Sequence, residues 1–138
     1  TGSSGNNVLK GGEGNDAITG GLGRDVMEGG AGVDIFDFNA ANETSNDPNT
    51  CDVIQDFVSG VDKIDLNTID ASSVLKKNND FVWVGAATSF GNSTEGEVRY
   101  QKFDTYTMIY GDTDGDAASE FMIRLEGLVD LKATDFIM

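Results

Sequence analysis

GGEGNDAITGGLGRDVMEGGAGVDIFD, residues 11–37, devotes nine of its 27 positions to glycine and returns to aspartate at 16, 25 and 34. Cut at every ninth residue it becomes GGEGNDAIT, GGLGRDVME and GGAGVDIFD, three copies of G-G-x-G-x-D-x-U-x in which U is apolar. Residues 2–10, GSSGNNVLK, form a worn fourth copy. The sixth position therefore holds Asn7, Asp16, Asp25 and Asp34, and the eighth Leu9, Ile18, Met27 and Phe36. Glycine at positions one, two and four allows positive φ and a sharp turn whose carbonyl oxygens point inward. Six residues then make a turn, and three make a short strand with one inward apolar side chain. Two nonapeptides complete a coil of eighteen residues, so turns eighteen apart stack at roughly the 4.8 Å strand spacing. Asp16 is expected over Asp34, and Asn7 over Asp25.

Stacked this way, carboxylates and backbone oxygens lie a few ångströms apart and repel one another unless a cation sits between them. Calcium suits the gap, because it accepts six to eight oxygens in forgiving geometry at about 2.3–2.6 Å, whereas magnesium demands a tighter octahedron. The candidate ligands are Asn7, Asp16, Asp25 and Asp34 together with the backbone at Gly12, Gly14, Gly21, Gly23, Gly30 and Gly32. The pattern resembles the calcium-binding nonapeptide of RTX proteins, which build a parallel β-roll. A flexible glycine-rich linker is the plain alternative, but a linker has no reason to keep aspartate sixth and an apolar residue eighth through three copies.

Beyond Phe36 the period dissolves, and residues 38–138 read as antiparallel strands. Alternation is clear in 97–103, 106–112 and 121–127, with Val98 and Tyr100, then Tyr106, Met108 and Tyr110, then Phe121, Ile123 and Leu125 expected on inward faces. FVWVG (81–85) reads as a more buried strand. The expected fold is all-β: a short parallel β-roll of nonapeptide repeats over 1–37, then an antiparallel β-sandwich-like cap over 38–138, in one continuous unit. Four nonapeptides make only about two coils, fewer than a repeat stack needs alone, so the roll has to lean on the cap.

GVDIFDFNAANETS (32–45), DVIQDFVSGVDKIDL (52–66), GDTDGDAASEFMIRLEG (111–127) and the terminal ATDFIM (133–138) resemble the C-terminal region of serralysin-type secreted bacterial metalloproteases. The match is only general between about 70 and 96, and Cys51 is unusual in such company. The resemblance implies a further calcium site where turn 20–25 meets the exit loop, with Glu43 and Asp52 as carboxylate ligands, and about two to four ions in all. Residues 38–43 lie eighteen beyond 20–25, which places Glu43 where the next aspartate would stack; an ordinary solvated loop acid is the alternative. Asp56, Asp62 and Asp65 read as alternating strand acids facing water, offset by Lys63. Alternating aspartates in DTDGD (112–116) echo an EF-hand loop, but Ala117 replaces its glycine and Ile123 its bidentate glutamate, so a hairpin turn is the better reading. Asp135, Phe136, Ile137 and Met138, an acid followed by three hydrophobics, are similar to the ending of proteins exported through type I ABC transporters. A last strand that packs and stops is compatible with that role.

Composition bounds the function. With 24 acidic and 9 basic residues and a net charge of −15, the surface repels phosphate backbones and anionic lipid, so neither nucleic acid nor membrane insertion is expected. Eight Phe, three Tyr and Trp83 supply a core that a disordered acidic chain would lack. No apolar run is long enough to span a bilayer, and TGSSGNNVLK (1–10) lacks the features of a secretory signal. A single cysteine excludes an intrachain disulfide. Histidine is absent, which removes Ser-His-Asp and Cys-His systems and the HExxH zinc helix.

The chain is expected to be non-catalytic: a calcium-dependent folding and export module of a secreted, extracellular bacterial protein. Its expected partners are a type I ABC transporter and an upstream catalytic domain, a zinc metalloprotease by resemblance. The alternative is a module like the RTX units of mannuronan epimerases, which assist polysaccharide binding. That work favours a basic groove, and residues 1–37 contain only Lys10 and Arg24 as cations.

Overall fold

The computed structural model describes residues 1–70, 80–91 and 96–138; part of the 70–96 stretch, where the serralysin resemblance is only general, falls outside them. Each nonapeptide delivers a strand where its apolar eighth residue lies. Strands β1 (Val8–Glu13), β2 (Ala17–Thr19), β3 (Val26–Ala31) and β4 (Ile35–Asp37) alternate between two sheets. β1 pairs parallel with β3, Leu9 opposite Met27, and β2 with β4, Ile18 opposite Phe36. The eighteen-residue coil is thus present, with its apolar residues stacked in register between the sheets.

The parallel stack does not stop at residue 37. β5 (Asp52–Ile54) lies parallel on β3 with Ile54 opposite Met27, and β6 (Lys63–Asp65) lies parallel on β4 with Ile64 opposite Phe36. The antiparallel pattern expected from residue 38 onward therefore begins only later in the chain. The remaining strands are β7 (Val82–Ala86), β8 (Glu97–Lys102), β9 (Tyr106–Asp112), β10 (Phe121–Glu126) and β11 (Phe136–Ile137). One sheet runs β1-β3-β5-β10-β9-β8-β7 and the other β11-β6-β4-β2. In the first, β10 joins β5 in parallel, after which β10, β9 and β8 form an antiparallel meander. The repeat and the later strands thus share both sheets.

The space between the sheets is filled by Ile18, Met27, Phe36, Ile54, Ile64, Phe121, Ile123, Leu125 and Phe136 with their neighbours. Val98 and Tyr100 point inward as expected, and Ile123 faces Ile109 across the β9–β10 ladder. The inward face of β9 is accordingly that of Ile109, not that of Tyr106, Met108 and Tyr110. Directly paired residues share a face, and Met108 pairs with Arg124, Tyr110 with Arg99 and Met122. On that outer face the Arg124 guanidinium lies 4.3 Å from the Tyr106 ring centroid and the Arg99 guanidinium 3.9 Å from that of Tyr110. Cation–π contacts of this kind cover rings that alternation alone would place inside. β7 differs too, because it is half-exposed and among the described residues pairs only with β8; Phe81, just before it, is buried.

Phe36 is fully buried at the centre of this stack. Phe36→Ala is expected to cost about 3–5 kcal/mol from lost burial and the cavity left behind. Leu22→Ala, at a half-exposed turn position, should stay within about 0.5 kcal/mol. Denaturant unfolding in saturating calcium measures both.

Candidate metal centre

The turns line two edges of the roll, and the repeat aspartates Asp25 and Asp34 divide their two oxygens between different tasks. On one edge Asp34 Oδ1 accepts the Asp16 N–H at 3.0 Å. On the other, Asp25 Oδ1 accepts the Asn7 N–H at 2.8 Å. These bonds span eighteen residues and put the sixth positions over one another. The second oxygens, Oδ2 of Asp16, Asp25 and Asp34, are buried and have no hydrogen-bond partner among the described residues. They point back across their own turns. A Cβ at Gly11 would stand 2.7 Å from Asp16 Oδ2, and one at Gly20 2.5 Å from Asp25 Oδ2. First-position glycines are needed for this space, since their φ is not positive; positive φ belongs to the second and fourth positions, such as Gly30 at 98° and Gly32 at 146°. A Cβ at Gly30 would also overlap the carbonyl oxygen of Gly12 in the coil beneath.

Two later acids extend the ladders. Asp52 is fully buried, its Oδ1 accepts the Asp25 N–H at 2.8 Å, and its Oδ2 is the fourth buried oxygen without a partner. Asp62 is buried as well; Oδ1 accepts the Asp34 N–H at 3.1 Å and Oδ2 the Val58 N–H at 2.8 Å. Asp56 takes the Gly29 and Gly30 N–H groups on its two oxygens, at 2.8 Å each. The expectation of water-facing strand acids fails for Asp56 and Asp62, because the backbone donors of the coil beneath need acceptors that no longer arrive every eighteenth residue. The Asp65 carboxylate accepts the nearby Asn67 N–H, and Lys63 donates to the Thr134 carbonyl instead of offsetting these acids.

The rung above Asp25, eighteen residues on by spacing, is occupied by Asp52, twenty-seven residues on. Glu43 closes its own short turn, Ala41–Glu43, with Oε2 accepting the Asn39 N–H at 2.9 Å. Its charge still reaches Asp52. Burial first, and then the charges of Asp25 and Glu43, push the Asp52 carboxyl up to about 7, against the opposing effects of the Asp25 N–H and Arg24. Burial likewise raises Asp25, partly offset by the Asn7 N–H. Four buried carboxylate oxygens with no donor, held beside glycine-lined space and carbonyl oxygens, form an all-oxygen donor set that fits a hard divalent cation.

Elsewhere, DTDGD is the turn of the β9–β10 hairpin, as its flanking alternation suggested. Ligand atoms of Asp112, Asp114, Asp116 and Glu120 lie within 4.8 Å of one another there, and Asp112 accepts the N–H groups of Asp114, Gly115 and Ala117. Cys51 is a buried free thiol. At the C-terminus Asp135 is fully buried and Phe136 packs 4.9 Å from the Trp83 ring. No helix among the described residues is long and apolar enough to cross a membrane.

The family described as Peptidase M10 serralysin C terminal matches residues 4–138. This chain belongs to that family. As a serralysin C-terminal domain it is an RTX module, of a kind that binds calcium and occurs in secreted proteins. Among solved structures it is similar to the AlgE6R3 subunit of the mannuronan C5-epimerase from Azotobacter vinelandii, at 26% identity and a TM-score of 0.62, covering 99% of this chain and 75% of that one. The AlgE6R2 subunit of the same epimerase shares the fold at 21% identity and a TM-score of 0.51, covering 99% of this chain and 90% of that one.

The raised Asp52 carboxyl makes the metal-free domain pH-dependent. The folded state holds a proton that the unfolded chain releases near 3.8, so this group's contribution is complete below about pH 4 and is lost as the pH rises through about 7. In chelator, the β-type circular dichroism signal should therefore grow as the pH is lowered from about 7 towards 4, and Asp52→Asn should flatten that growth.

Proposed function

We propose that this serralysin C-terminal domain is a calcium-loaded folding module that also carries an export tail. The observation behind this reading is the set of buried, partnerless Oδ2 atoms on Asp16, Asp25, Asp34 and Asp52. In this reading the ligands are those carboxylates, Asn7 and Glu43, and the backbone at Gly12, Gly14, Gly21, Gly23, Gly30 and Gly32, taking about two to four ions. Bound calcium supplies positive charge at the two edges beside the partnerless carboxylate oxygens. The residues do the rest: Oδ1 of Asp25, Asp34 and Asp52 holds the coil beneath, glycine keeps side chains out of the turn, and the eighth-position residues bury the seam. Residues 1–37 and 38–138 fold as one unit, supported by the sheets they share.

Ligand binding to the native state alone becomes folding free energy, about 2.7 kcal/mol per site at a hundredfold excess over Kd. Three independent sites would contribute roughly 8 kcal/mol, comparable with the whole stability of a small domain. Low cytosolic calcium would leave the chain open for a type I ABC transporter reading Asp135, Phe136, Ile137 and Met138, and extracellular calcium would then close it. The chain itself is non-catalytic in this reading, and a secreted hydrolase, with a zinc metalloendopeptidase favoured, supplies the active domain upstream.

Circular dichroism of this chain should show unfolded character in chelator and in magnesium, and β structure in millimolar calcium. Equal spectra in all three would overturn the reading. Asp34→Asn should raise the calcium midpoint by about tenfold or more, in line with the loss of a charged ligand.

The likeness to AlgE6R3 over 99% of the chain favours a second reading, in which the module assists binding of an anionic polysaccharide by a secreted epimerase or other exoenzyme. Against it, Lys10 on the roll is already paired with Glu28. Saturable binding of alginate oligomers to the calcium-loaded chain would establish this reading, and its absence would remove it.

A further inference from the structure

The carboxylate ladder on the β2-β4-β6-β11 side has one more rung than the repeat accounts for. Asp34 holds the Asp16 N–H, and Asp62 holds the Asp34 N–H. With its other oxygen Asp62 closes the turn at Val58. That same turn is gripped from above by Asp135, whose Oδ1 accepts the Gly60 N–H at 2.8 Å. Its Oδ2 accepts the Ser59 hydroxyl at 2.7 Å and the Lys132 N–H at 2.9 Å. Asp135 is fully buried with three donors aimed at it. Directly after it, β11 pairs parallel with β6, Phe136 opposite Ile64, and Leu66 donates to the Ile137 carbonyl at 2.8 Å. Three acids in series, Asp34, Asp62 and Asp135, therefore connect a proposed calcium ligand to the chain's last strand through backbone they each fix.

We propose that Asp135 is the terminal rung of this ladder and couples the two ends: residues 135–138 dock when the roll's edges are filled and are released when they are empty. A ligand shifts such an equilibrium only through its preference for one state. The preference here is mechanical, because the turn at 58–62 is shaped for Asp135 only while Asp62 is held against the ordered turn of Asp34. The inference rests on the calcium-folding reading and deepens it, since the tail offered to the export machinery is free before calcium loading and covered afterwards. The same four residues then have two mutually exclusive partners, the transporter and the turn at Ser59 and Gly60.

Trp83, the only tryptophan, touches Phe136 and reports docking, while far-ultraviolet dichroism reports the roll. Calcium titration of the wild-type chain should move both signals with one midpoint and slow amide exchange at 135–138 by about tenfold or more. In Asp135→Asn the calcium response of the dichroism should persist, while Trp83 emission stays red-shifted and tail exchange stays fast. Should that variant fail to fold, Ser59→Ala, which removes one of the three donors, must show the same separation in milder form. Tail amides equally protected in chelator and calcium, or a tail in the folding variant as protected as wild type, would overturn the coupling. A dichroism spectrum of the wild-type chain that ignores calcium would overturn the folding reading and the coupling together, whereas a responsive spectrum with an unresponsive tail sinks the coupling alone.

Discussion

A carboxylate that gives one oxygen to the backbone beneath it and leaves the other without a donor recurs through this structure at Asp25, Asp34 and Asp52. The first oxygen builds the fold, since each turn contains N–H groups that a three-residue strand cannot satisfy. The second oxygen opposes it, because a buried charge without a partner costs several kcal/mol. Both come from one side chain, so the roll cannot keep its scaffold and shed its repulsion. Burial drives the Asp52 carboxyl up to about 7, which is the same conflict expressed as proton affinity. A hard cation would resolve it without any change of sequence, which is the physical basis of the proposed calcium-dependent folding.

The short sheets explain the rest of the architecture. The repeat strands each turn one apolar side chain inward, Leu9 only partly buried, and four such side chains make a narrow seam. The chain widens that seam by stacking Ile54 on Met27, Ile64 on Phe36 and Phe136 on Ile64. It then attaches the β8–β9–β10 meander through β10 on β5. Phe121, Ile123 and Leu125 are fully buried there, so the hydrophobic contribution that the glycine-rich coils lack is supplied by residues a hundred positions away.

Legibility in the sequence followed coil length. While each coil has eighteen residues, Asp16 and Asp34 sit at fixed spacing, and both their stacking and the inward row Leu9, Ile18, Met27 and Phe36 can be read directly. The loop at 38–51 lengthens one coil to the twenty-seven residues separating Asp25 from Asp52, and the next spans twenty-eight, from Asp34 to Asp62. Parallel stacking continues through these longer coils, but no fixed period marks it. For that reason Asp56 and Asp62 resemble surface acids in the sequence although they hold the coil beneath, and Glu43, correctly spaced for the rung above Asp25, closes its own turn instead.

The sequence by itself determined the turn chemistry, the apolar row and the acidic character, because each depends on residues within nine or eighteen positions of one another. Tertiary structure decided which later acid caps which turn, how Arg99 and Arg124 cover the tyrosines of β9, and that the C-terminal acid closes a ladder begun at Asp16. Those choices depend on where loops of unequal length return the chain, and that is settled by the packing of distant strands and not by local spacing.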